Sequence, residues 1–150
     1  MTYIRLSRGW YRHSLTSMPT AFDNPAGVPA PPPGRYSHVA SIDLADRKLL
    51  ILSGQIATDD EGKLIGPDDM TAQAEAIFAS IGTILAAHGA TFEHVVNIRS
   101  YLTDMSLIAE YAGARRSRLN PDRLPTSTTV EVSRLFVDGA LVEVEVTAVV

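Results

Sequence analysis

The chain has 150 residues, a formal net charge of −4 and a pI near 5.5; that length suffices for one domain with one unaided core. The acidic balance argues against whole-protein binding to nucleic-acid phosphates, which needs clustered positive charge. With no cysteine in the chain, disulfides, thiolate nucleophiles and cysteine-ligated zinc are excluded, leaving hydroxyl, imidazole, carboxylate, guanidinium and backbone groups for any chemistry.

In chain order, the first eighteen residues carry Arg5, Arg8, Arg12 and His13 and no acid. Three readings stand: a gene start placed too early with Met18 as the first residue, a functional arm, or a targeting sequence. No apolar block of a secretory signal is present, and no stretch reads as long enough to span a bilayer. A soluble, cytoplasmic chain with no membrane partner is expected, and the absence of cysteine fits that compartment. Residues 19–34 hold six prolines and should run as an extended lead-in. The expected division is an arm over 1–33 and a domain over 34–150, with folding starting near Tyr36.

The apolar runs His38–Ile42 and Lys48–Ser53 flank "LADR", which reads as a hairpin. A glycine- and acid-rich loop follows, in which Asp68 or Asp69 can cap a helix. Met70, Ala74, Ile77, Ile81, Ile84, Leu85 and His88 recur at three- and four-residue intervals, one apolar stripe ending at Gly89. "HVVNIRSYLTD" reads as a strand, and Asp104 or Ser106 can cap a second helix carrying Leu107, Ile108 and Tyr111, closed by Asn120 and Pro121. Two strands complete the chain, Thr128–Val132 and Leu141–Val149, joined around Asp138 and Gly139. In the last, Val142, Val144 and Val146 alternate with Glu143, Glu145 and Thr147. The order β-β-α-β-α-β-β predicts an α+β domain with two helices on one face of a mixed sheet. The other face needs cover, most simply another copy of itself in a closed oligomer with the acids at the seams.

The histidines His13, His38, His88 and His94 lack metal-ligand spacing, so no metal is expected. "ARRSR" with Arg123 reads as a solvated helix end that complements the helix dipole.

Taken together, "GRYSHV" (34–39), "SGQI" (53–56), Gln73, "AAHGATFEHVV" (86–96), "YLTDM" (101–105), the P-x-x-x-T-V-E-V pattern from Pro125 and the closing "VEVEVTAV" resemble the RidA (YjgF/YER057c/UK114) family, in order over 34–149. The resemblance implies a chorismate-mutase-like fold, a homotrimer with a small-molecule cleft at each interface, and hydrolysis of enamines and imines such as 2-aminoacrylate to a 2-keto acid and ammonia. It implies no cofactor. On matching positions it places Tyr36, Ser53 and Gly54 around the ligand. Thr129 would hold the attacking water by its carbonyl, and Glu143 would polarise that water and move protons. Some members have been labelled ribonucleases, a reading that the acidic total and the lack of interleaved aromatics do not favour.

Two positions depart from the pattern. The family's arginine, a bidentate partner for the substrate carboxylate, would fall two residues after Pro125, where this chain has Ser127. The second helix's asparagine appears as Ala112. Serine does not replace a planar five-donor fork, so the expectation is a non-standard small electrophile bound beside Ser127, unless Arg35 or Arg99 takes over the missing charge. The alternative is a non-catalytic trimeric metabolite-binding or interaction protein.

Overall fold

A computed structural model describes residues 19–150 and the backbone of 4–6 and 9–11. The readings of the basic N-terminus, Met18 as a start included, lie outside the described residues. Strands β1 (Ile4–Leu6) and β2 (Gly9–Tyr11) pair with each other antiparallel.

The sheet of the domain has six strands in the order β3-β4-β5-β8-β6-β7: β3 Thr20–Asp23, β4 Val39–Leu44, β5 Arg47–Leu52, β6 Val95–Leu102, β7 Thr126–Glu131 and β8 Val142–Val149. It is mixed, because β6 and β7 run parallel while the other neighbours are antiparallel. Helices α1 (Met70–Ala87) and α2 (Ile108–Arg116) complete the expected α+β order. The sheet begins earlier than the sequence suggests: Thr20–Asp23 pairs with Val39–Ile42 as an edge strand, an edge being where a proline-flanked segment can join a sheet. Beyond β3, Val28 enters the core.

The hairpin turns at Ala45, whose φ of 60° suits the tight reversal between β4 and β5. Asp69 caps α1 by accepting from Ala72 N at 2.9 Å, and Gly89, at φ 73°, closes it. Every apolar residue of the expected stripe is buried, joined by Gln73 and Phe78. By length and composition α1 is, after all, apolar enough to cross a membrane. Its apolarity is spent inward: Ile77, Phe78, Ile81 and Ile84 are fully buried in one core with Leu50, Ile98, Val142, Val144 and Val146.

Gln73 is the polar tie in that core. Its Nε2 donates to Gly66 O at 3.0 Å and Gly139 O at 3.3 Å, and its Oε1 accepts from Leu141 N at 2.8 Å. The amide thus holds the loop before α1 and the loop before β8 against the helix. The Asp138–Gly139 connection is no hairpin, because β8 inserts between β5 and β6 rather than beside β7.

Candidate functional site

Beyond β5 the sheet is interrupted in a way that makes the site. Ile51 pairs with Thr147, yet Gln55 pairs with Val144, so one strand advances four residues while the other advances three. The extra residue falls in Ser53–Gly54, a local bulge of the kind that re-aims side chains beside a site. Gly54 meets the Glu143 side chain there: a Cβ at Gly54 would lie 2.7 Å from Glu143 Cδ, so only glycine leaves room for the carboxylate in its present place.

The bulge is anchored on its other side. Ser53 Oγ donates to Ser37 O at 2.7 Å, and Ser53 N donates to His38 O at 2.9 Å. The His38 ring is buried; its Nε2 lies 2.8 Å from Pro29 O, and its Nδ1 lies 3.3 Å from Gln55 Nε2. A carbonyl can only accept, so the ring donates to Pro29 from Nε2 and leaves Nδ1 toward the Gln55 amide. Through these bonds the proline-rich segment becomes a wall of the site.

The resulting cleft has a volume of about 430 Å³, a size that suits a small molecule. Tyr36, Ser53, Gly54 and Glu143 all line it, so the structure brings these four expected residues together. Phe136 and Val137 enter from the loop before β8, and Asp59 and Asp60 from the loop before α1. Burial, and then the charge of Glu145, hold the Glu143 carboxyl above the usual carboxylate range. Burial, reinforced by Glu143, likewise raises the Tyr36 phenol, which stands edge-on to His38 with ring centroids 6.1 Å apart.

Ser127 and Thr129 are placed elsewhere. They lie on β7, separated from β8 by β6, and their partners are Ile98 and Ser100. Those partners are buried on the helix side of the sheet, so the two hydroxyls share that side and line no part of this chain's own cleft. Of the two alternative cations, Arg99 is bound to Glu145 at 2.7 Å on the opposite face. Arg35 lies over the Phe136 ring, 5.7 Å from its centroid.

This arrangement can be set beside known proteins. The family model described as Endoribonuclease L-PSP matches residues 28–150. The chain belongs to the YjgF/RidA family. It is 34% identical over 116 residues to protein DfrA of Myxococcus xanthus, covering 77% of this chain and 86% of that protein. A RutC family protein of Synechocystis is 31% identical over 125 residues, covering 83% and 92% of the two chains. Among solved structures, the Rid family protein YyfA of Yersinia pestis, itself described as of unknown function, superposes with a TM-score of 0.77 at 28% identity. That match covers 88% of this chain and all 100% of the other. These likenesses establish the family and its fold, helices on one face of a mixed sheet.

Several lining residues escape a reading of the sequence. Phe136, Asp59 and Asp60 sit in loops with no periodicity to betray them. Gln55 stands within the quoted "SGQI", where its side-chain role depends on a histidine 17 residues earlier. His38 leaves no motif in the sequence, because its partners, the Pro29 carbonyl and the Gln55 amide, are brought to it only by the fold.

Proposed function

We propose that this YjgF/RidA-family protein hydrolyses a small imine, or an enamine by way of its iminium, in the cleft beside Glu143. The observation that carries the reading is the Glu143 carboxylate, held half-buried against Gly54 in a cleft of small-molecule size. A carboxylate raised above its ordinary range by burial is a better base, poised nearer the working pH. An enamine protonated on carbon becomes an iminium. Glu143 takes a proton from water as its oxygen bonds to the iminium carbon, giving a carbinolamine. The carboxylic acid then protonates the amine nitrogen, the C–N bond breaks, and the hydroxyl proton leaves with ammonia as ammonium, leaving a ketone or aldehyde. No covalent enzyme intermediate or cofactor is needed.

The assembly belongs to the same proposal. Three copies close around the uncovered sheet face, and each cleft gains a second wall from a neighbour. Because β7 is an edge strand, Ser127 and the Thr129 carbonyl would then reach a neighbour's cleft from that edge, not across the seam face, and would serve it rather than their own. Supporting this are the uncovered face itself, with Phe22, Ile51 and Val130 exposed, and the position of β7 at the sheet's far edge. Ser127, unlike arginine, gives such a cleft no fork for a carboxylate.

Ammonia release from 2-aminoacrylate generated in situ, and from carboxylate-free imines, tests the chemistry. The parent protein should release ammonia above background from at least one of them, and Glu143→Gln should lower the rate by about 10²-fold or more while remaining folded. No rate from the parent across the panel would leave a binding protein.

A further inference from the structure

The lining of the cleft carries more information than its volume. Among the described residues that line it are three carboxylates, Asp59, Asp60 and Glu143, and no lysine or arginine. The first is partly committed, since its Oδ1 accepts from Glu61 N at 3.1 Å and Lys63 N at 2.8 Å in the loop before α1. Glu143 differs: no ion pair or hydrogen bond to another described residue engages it, and Glu145, on the same strand, adds like charge while itself bound to Arg99. A half-buried carboxylate in that position is best satisfied by a cation that arrives with the ligand.

The aromatic residues point the same way. Phe136 is 73% exposed and lines the cleft with Tyr36, and an aromatic face attracts cations through its quadrupole. That attraction is already realised once, because the Arg35 guanidinium lies over the Phe136 ring. An incoming carboxylate, by contrast, would face three acids and find no cation among the lining residues. Gly54 allows Glu143 to stand within the cleft where a charged nitrogen would sit.

We propose that the cleft selects a protonated amine or iminium bearing an apolar group and no carboxylate. The nitrogen lies on Glu143, and the apolar group lies against Tyr36 and Phe136. This rests on the reading of the cleft as the reaction site and narrows its substrate to an organic cation; ketone or aldehyde and ammonium would be the products. Arg35, over Phe136, closes the aromatic side and does not grip an anion.

Three probes of matched shape separate the cases: benzylammonium, phenylglycine, which adds a carboxylate to it, and phenylacetate, which replaces its ammonium by a carboxylate. Their binding to the full chain in its native assembly can be followed by calorimetry and by perturbation of the Gly54 and Gln55 amide signals. Benzylammonium should bind about tenfold tighter than phenylglycine, equivalent to about 1.4 kcal/mol, with phenylacetate weakest. Glu143→Gln should weaken benzylammonium by a similar factor and leave phenylacetate unchanged or improved. Phenylglycine or phenylacetate binding as tightly as benzylammonium would overturn the proposal, most directly if Arg35→Ala abolished that binding. So would failure of benzylammonium to perturb Gly54 and Gln55 up to its solubility limit. Selective benzylammonium binding without turnover of any imine would keep the cation site and remove the hydrolase. Turnover confined to carboxylate-bearing imines would do the reverse.

Discussion

Glu143 is defined by what surrounds it: burial first, then the charge of Glu145 two residues along β8. Both disfavour the ionised form, so its proton is held to higher pH in the folded chain than in the unfolded one. Between the ordinary carboxylate value and the raised folded value, the folded state therefore binds more protons. Stability contributed by this group falls as pH rises through that window and is level above it. Glu143→Gln should flatten that part of a stability profile measured by denaturant unfolding at several pH values; an unchanged slope would mean the carboxyl is ordinary. Glu145→Gln removes the like charge, and also frees Arg99 from its 2.7 Å partner, so the Glu143 carboxyl signal should titrate at lower pH by NMR. Gly54 is the complementary test. Its φ does not lie in the left-handed region, so alanine strains no backbone there, but the new Cβ takes the place of the carboxylate. Gly54→Ala should leave a folded protein whose ammonia release falls on the order of 10²-fold, the effect of displacing a catalytic group by about an ångström. Full activity in that variant would separate Glu143 from the chemistry.

At the scale of elements, local rules account for much of α1. Asp69 supplies the cap and Gly89 the exit, and Asp69→Ala should cost about 1 kcal/mol in thermal or denaturant unfolding. Gln73 is another matter, because its partners at Gly66, Gly139 and Leu141 lie up to 68 residues away. Gln73→Leu keeps the volume and removes all three bonds, which should destabilise the chain by about 2–4 kcal/mol as those backbone groups lose partners; a loss below that of the cap variant would show water replacing the amide. The same contrast explains what the sequence discloses. Period-two alternation reveals β8, where valines are buried and glutamates face the other side, and the three-to-four spacing reveals α1. By comparison, β3 has four exposed residues and no alternation, because an edge strand over an uncovered face writes no burial pattern. The site divides likewise. Tyr36, Ser53, Gly54 and Glu143 are recognisable from family strings, whereas Phe136 and the acidic loop become neighbours of Glu143 only once β8 inserts between β5 and β6.

For the whole molecule, the uncovered sheet face is the feature that remains to be satisfied. One row crosses all six strands on it, Phe22, Ala40, Ile51, Thr147, Asn97 and Thr126 in order. A parallel row sets Glu143 beside Tyr101 and Val130. Phe22 is 71% exposed, Ile51 45% and Val130 40%, so apolar groups spread over this face would stay in water in an isolated chain, a pattern that marks interaction surfaces. Arg99 and Tyr101 both donate to Glu145, so covering that cluster would strand no unpaired charge, and Glu143 is the carboxylate on this face left for the cleft. If the face is the seam between copies, the native protein should sediment at three times its 16.2 kDa chain mass. Ile51→Lys combined with Val130→Lys places charge in two separate rows of the seam without touching the helix-side core. That variant should sediment at the single-chain mass, retain its circular dichroism, and lose ammonia release together with tight benzylammonium binding, because each cleft loses its second wall. A trimer undisturbed by both lysines would move the seam to another surface. A native chain sedimenting as a monomer would require the cleft to work with one wall, and Ser127 and Thr129 would then have no place at the site.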